Sequence, residues 1–129
     1  MTTVSHPSTL SAALFGVVGL INFIPVVGVI SSARLGALYG PPTIRAAMAD
    51  PSLVVLLRHR AVLLGIVGAI LLHAAAVPNA RPIAAMAGFI SMLSYMGLAA
   101  TAPRKSQQLT HVLYVDVVAC VLLAVAVVM

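Results

Sequence analysis

Charge is what this chain lacks most. Of its 129 residues, seven are Lys or Arg and two are Asp or Glu, so charged side chains make up 7%, against about a quarter in an ordinary globular domain. A water-soluble surface cannot be assembled from so few. The two acids are Asp50 and Asp116, and the lack of any Glu removes the parts for a carboxylate-rich di-metal site or a two-carboxylate hydrolase. One cysteine, Cys120, excludes an intrachain disulfide and a Cys-based metal cluster. Its setting among Val and Ala reads as a small packing position. There is no G-x-S-x-G elbow, phosphate-cradling loop or dinucleotide fingerprint. The net charge of +5 comes from scattered basic residues with no aromatic stacking platform beside them, which excludes nucleic acid as a partner.

What the chain does have is apolar length. Hydrophobic residues make up 62% of it, and a helix needs about 20 predominantly apolar residues to cross the hydrocarbon core. Four such stretches are present, at about 10–30, 51–76, 82–102 and 111–129. The first is too long for the apolar region of a secretory signal and no Lys or Arg precedes it, so it reads as a retained span. Pro25 is expected to kink it. A turn-rich connector follows over 31–50, with a short interfacial helix expected from Thr43 to Ala49. Asp50 and Pro51 form an N-cap and first-position proline that open the second helix. The Pro-Asn turn over 77–81 is so short that the helices on either side must be antiparallel neighbours. The expected fold is a single all-α domain, an integral membrane bundle of four transmembrane helices running antiparallel, up and down.

Orientation follows from the loops. Arg34, Arg45, Arg104 and Lys105 lie on one side and only Arg81 on the other. Positive charge is retained on the cytoplasmic side, so the two basic loops face the cytoplasm and both termini face outward.

Polar residues inside the spans are the informative ones, because a charge near the bilayer centre costs about 2.5–3.5 kcal/mol on insertion scales. At about 1.5 Å per residue, Asn22, Arg58, Ser91, Tyr95 and Asp116 all fall at a similar depth in the cytoplasmic half. Each residue advances about 100° around a helix. Arg58 then shares a face with Gly65, Ala69 and Ala76; Ser91 and Tyr95 share one with Ala84 and Gly88; Asp116 shares one with Ala119 and Cys120. Small residues mark helix contacts, and Gly16, Gly19, Gly65, Gly68, Gly88 and Gly97 are expected to serve close packing. The expectation is that Arg58 meets Asp116 inside the bundle, with Asn22, Ser91 and Tyr95 as hydrogen-bond partners of a ligand site. Arg60 points the opposite way and is expected to snorkel to lipid headgroups. The competing expectation is a charge pair that fixes helix register, with no ligand.

The histidines do not supply a metal or haem site. His6, His59, His73 and His111 include no pair at i, i+3 or i, i+4, and His59 and His111 point away from Arg58 and Asp116. No metal and no cofactor is expected, and no catalytic residue stands out.

The segments NFIPVVGVISSARLGALYG, LLRHRAVLLGIVGAILL and AGFISMLS carry a resemblance to a family of small bacterial four-helix membrane proteins of unassigned activity, similar in size and layout to the DoxX-like group. It covers Asn22 to Asp116, with the Arg58-His59-Arg60 run as its most distinctive part. Some such sequences bear the label phosphopantetheine adenylyltransferase, which implies a soluble nucleotidyltransferase with an H-x-G-H motif; this chain has neither. The resemblance implies a place in the bacterial cytoplasmic membrane among membrane lipids and supplies no substrate. Two functional readings remain. One is a pocket that binds or moves a small amphiphile through Arg58 and Asp116. The other is an accessory subunit docking against a larger membrane complex or its own copies.

Overall fold

The structure, a computed structural model, describes residues 9–26, 49–103 and 107–129, the side chain of Gln108 excepted. These form four α-helices and no strand: α1 Thr9–Phe23, α2 Pro51–Ala76, α3 Arg81–Ala100 and α4 Gln107–Val128. Each is long and apolar enough to cross a membrane, α1 when taken with its extension to Val26. The protein is an all-α integral membrane bundle. The expected interfacial helix from Thr43, the orienting Arg34, Arg45, Arg104 and Lys105, and His6 lie outside the described residues.

Helix boundaries follow from local chemistry. The Asp50 carboxylate accepts a hydrogen bond from the Ser52 backbone N–H at 2.9 Å, and Pro51 occupies the first turn of α2. There its missing N–H costs nothing. Val77 is extended, as the residue before a proline is, and Pro78–Ala80 forms a single 3₁₀ turn into α3. At the proline where the sequence suggests a kink, α1 gives way after Phe23 to a 3₁₀ turn over Ile24–Val26, and the rest of the expected span, 27–30, lies outside the described residues. Pro25 causes this, since it lacks an N–H and disfavours helical geometry at the residue before it. Helix α4 begins at Gln107, four residues ahead of the expected start at His111. Glutamine is a good helix former, and a reading based on hydropathy sees only the apolar part of such a helix.

Consecutive helices are neighbours and α4 closes back on α1, giving an antiparallel ring. The seam between α1 and α2 is the tightest. Along it Gly16 faces Ala75, Gly19 faces Leu72, Phe23 faces Gly68 and Val26 faces Gly65. A Cβ on Gly68 would stand 2.7 Å from the Phe23 nitrogen and 2.8 Å from the Gly19 oxygen, so backbone touches backbone where only glycine leaves room. Gly97 departs from the packing role expected of it: among the described residues nothing lies within 4 Å of where its Cβ would be, because that face of α3 is exposed.

The interior is filled by Phe15 and Val18 of α1, Leu71 of α2, Met92 of α3 and Leu123 of α4, each at most 1% exposed. Gly88 makes space for the tips of Leu71 and Leu123, at 3.4 and 2.9 Å from its absent Cβ. One end of the bundle is closed by polar contacts. Arg81 of α3 donates to the Ala74 carbonyl of α2 and to Ser11 Oγ of α1, both at 3.3 Å, and its guanidinium lies 5.6 Å from the Phe15 ring centroid. Ser11 Oγ in turn donates to the Ala126 carbonyl of α4 at 2.8 Å. All four helices are thereby joined at this end.

Candidate functional site

In the opposite half of the bundle the described residues leave a cavity. A partly open cavity of about 700 Å³ lies there, and every helix contributes a polar residue to its wall: Asn22 from α1, Arg60 from α2, Ser91, Ser94 and Tyr95 from α3, His111 and Asp116 from α4. The remaining wall is apolar, built by residues such as Ile21, Leu64, Val67, Leu98 and Val115. Its size falls in the range of about 300–1,000 Å³ usual for small-molecule sites.

Each polar group is positioned by its helix. Asn22 is 4% exposed, and its Nδ2 donates to the Val18 carbonyl one turn back at 2.9 Å, with Met92 Sδ of α3 at 4.0 Å. Its amide thus reaches across the ring from α1. Arg60 and Asp116 each lie nine residues beyond the first residue of their helix, about 14 Å along the axis. They therefore share a depth on α2 and α4, which are diagonal in the ring. The Arg60 guanidinium lies over the Tyr95 ring at 4.4 Å from its centroid. Ser94 Oγ donates to the Ser91 carbonyl at 2.9 Å, satisfying its hydroxyl within α3.

Of the five residues expected at the site, Asn22, Ser91, Tyr95 and Asp116 line the cavity and Arg58 does not. The basic residue in the wall is Arg60, which was expected to turn outward to headgroups. The reason lies in how α2 divides its faces. Bulky Leu64, Val67 and Leu71 follow Arg60 at helical spacing and fill the interior. Gly65 and Gly68 instead face α1. The small-residue stripe marks a pairwise seam and leaves the bundle centre to larger side chains. Arg58 lies on the continuation of that seam, seven residues before Gly65, half-buried, and its Nε is buried without a hydrogen-bond partner among the described residues. His111, expected to point away from Asp116, lines the same cavity on an exposed part of α4. Arg60, Ser94 and His111 are the wall residues the helical-wheel reading missed; the run of large apolar residues after Arg60 was the available signal.

No protein-family model matches the chain, and neither a curated protein nor a solved structure does. Among the described residues no group of three or more His, Cys, Asp or Glu is placed to hold a metal ion. What the arrangement can do is hold a molecule that is polar at one end and apolar along the rest, with charge and hydrogen-bonding groups at the Arg60–Asp116 level and aliphatic contact with Leu64 and Val67.

Proposed function

We propose that this membrane protein binds, and passes along, a small amphiphile through the cavity between its four helices. The observation that carries the reading is the composition of the cavity wall: polar residues from all four helices converge at one depth in an otherwise apolar space of about 700 Å³. Charges in a membrane span are costly and mark functional sites by default. A pair serving helix register alone would be enclosed by packed side chains, and this pair borders open volume. By the positive-inside argument the cavity belongs to the cytoplasmic half, with both termini outward. The same reading takes the membrane to be the bacterial cytoplasmic membrane, on the resemblance to small bacterial four-helix proteins of DoxX-like layout.

The test is native mass spectrometry of the chain extracted in mild detergent, with identification of bound lipids and proteins. A bound amphiphile is expected with the wild-type chain and should be lost when Leu64→Trp fills the cavity. Stoichiometric protein partners with no bound amphiphile would favour an accessory subunit and overturn the proposal.

A further inference from the structure

Among the described residues, the polar level of the cavity holds one arginine and one aspartate, on opposite walls. Arg60 stands on α2 and Asp116 on α4, at equal distance from the starts of their helices. Arg60 is held by its stack on Tyr95. Asp116 is half-buried in the wall. Among the described residues no side chain donates a hydrogen bond to its carboxylate. The other polar wall residues among those described, Asn22, Ser91, Ser94, Tyr95 and His111, include no further Lys, Arg, Asp or Glu.

This distribution discriminates among ligand heads. A purely anionic head meets attraction from Arg60 and repulsion from Asp116; a purely cationic head meets the reverse, and like charges brought together in a low-dielectric site are penalised heavily. An uncharged head leaves the Asp116 carboxylate without a charged donor, which an apolar setting makes costly. A head bearing both signs satisfies both walls. We propose, building on the reading of the cavity as an amphiphile site, that its occupant has a zwitterionic head, with an ammonium facing Asp116, a phosphate or carboxylate facing Arg60, and one acyl chain along Leu64 and Val67. An ammonium has three N–H donors for the carboxylate, and a guanidinium presents a planar fork suited to phosphate or carboxylate.

The experiment measures binding of a panel of single-chain lipids, all with a hydrocarbon chain of the same length, to the full chain purified in an uncharged maltoside detergent. The panel is lysophosphatidylethanolamine, O-acylserine, lysophosphatidylglycerol, a monoacylglycerol and a long-chain primary amine. One or both of the first two should bind at least tenfold tighter than the other three, and the stronger of them identifies phosphate or carboxylate as the anionic end. In Asp116→Asn the preference should collapse, with lysophosphatidylglycerol rising to match lysophosphatidylethanolamine. In Arg60→Gln the zwitterions should weaken while the amine does not. Helical circular dichroism and monodisperse elution verify that each variant is folded, and the wild-type ranking needs no variant at all. Equal binding across the panel, or a wild-type preference for an anionic, cationic or uncharged head, overturns the zwitterion assignment and leaves the amphiphile site standing. Absence of binding by every member to folded protein overturns both.

Discussion

The guanidinium of Arg60 lies 4.4 Å from the centroid of the Tyr95 ring, joining α2 to α3 in the wall of the cavity. A desolvated contact of this kind contributes about 2 kcal/mol, and an exposed one about 0.5–1 kcal/mol. We expect a double-mutant cycle of Arg60→Gln and Tyr95→Leu, read from reversible unfolding in bicelles, to give a coupling of about 1 kcal/mol. A coupling indistinguishable from zero would mean that the stack does not stabilise the bundle.

Arg58 and Arg60 should respond in opposite ways. Arg58 buries its Nε without a partner among the described residues, and a buried unmatched donor costs about 1–3 kcal/mol. Arg58→Met should therefore leave stability unchanged or raise it by about 1 kcal/mol. It should also leave amphiphile retention intact, whereas Arg60→Gln should reduce retention. Loss of retention in Arg58→Met alone would return Arg58 to the site.

The α1–α2 seam predicts a steep dependence on a single methyl group. A Cβ on Gly68 meets backbone atoms at 2.7 and 2.8 Å, which cannot move aside as a side-chain tip can. Gly68→Ala should destabilise by about 1–3 kcal/mol. Gly97→Ala, with nothing among the described residues within 4 Å of the new methyl, should be neutral or stabilising by up to about 1 kcal/mol. Thermal unfolding of the two variants side by side decides the matter.

At the closed end, removing Arg81 takes away donors to Ala74 and Ser11 together with the contact to Phe15. Interhelical hydrogen bonds in membranes average about 0.6 kcal/mol, so Arg81→Met should cost about 1–2 kcal/mol over two bonds and a ring contact. Faster amide exchange should appear first near Ser11 and Ala126. Unchanged exchange there would show that the remaining Ser11–Ala126 bond suffices.

Much of the fold was legible in the sequence, because in lipid a long run of apolar residues has few structural options and helices satisfy their own backbone. Asp50-Pro51 marked the start of α2 by chemistry that does not depend on the surroundings. The depth of the polar residues was legible too, since the rise per residue is fixed. Azimuth was not. In water, apolar residues point inward and reveal the buried face. Here Leu56, Val62, Ile66 and Leu93 are as apolar as Leu71 and Leu123 yet 43–62% exposed, so hydropathy does not separate outside from inside. The small-residue stripe of α2 was the remaining clue. It identified the contact with α1, and assigning that contact to the centre of the bundle placed Arg58 where Arg60 stands. Arg81 was read as a loop charge, because nothing local distinguishes an arginine facing solvent from one that folds back over Ser11 and Phe15.

Among the described residues the bundle is fastened by polar contacts at the Arg81 end and bordered by a cavity at the other, so any tilt of α2 about the fastened end is felt most at the cavity. From Ala74, where Arg81 grips α2, to Arg60 at the cavity is 14 residues, or about 21 Å of helix. A tilt of about 5° at the grip displaces Arg60 by about 2 Å over that length, enough to part it from Tyr95. Bilayer thickness acts on helix tilt, so if the cavity holds an amphiphile as proposed, its occupancy should vary with the acyl-chain length of the surrounding lipid.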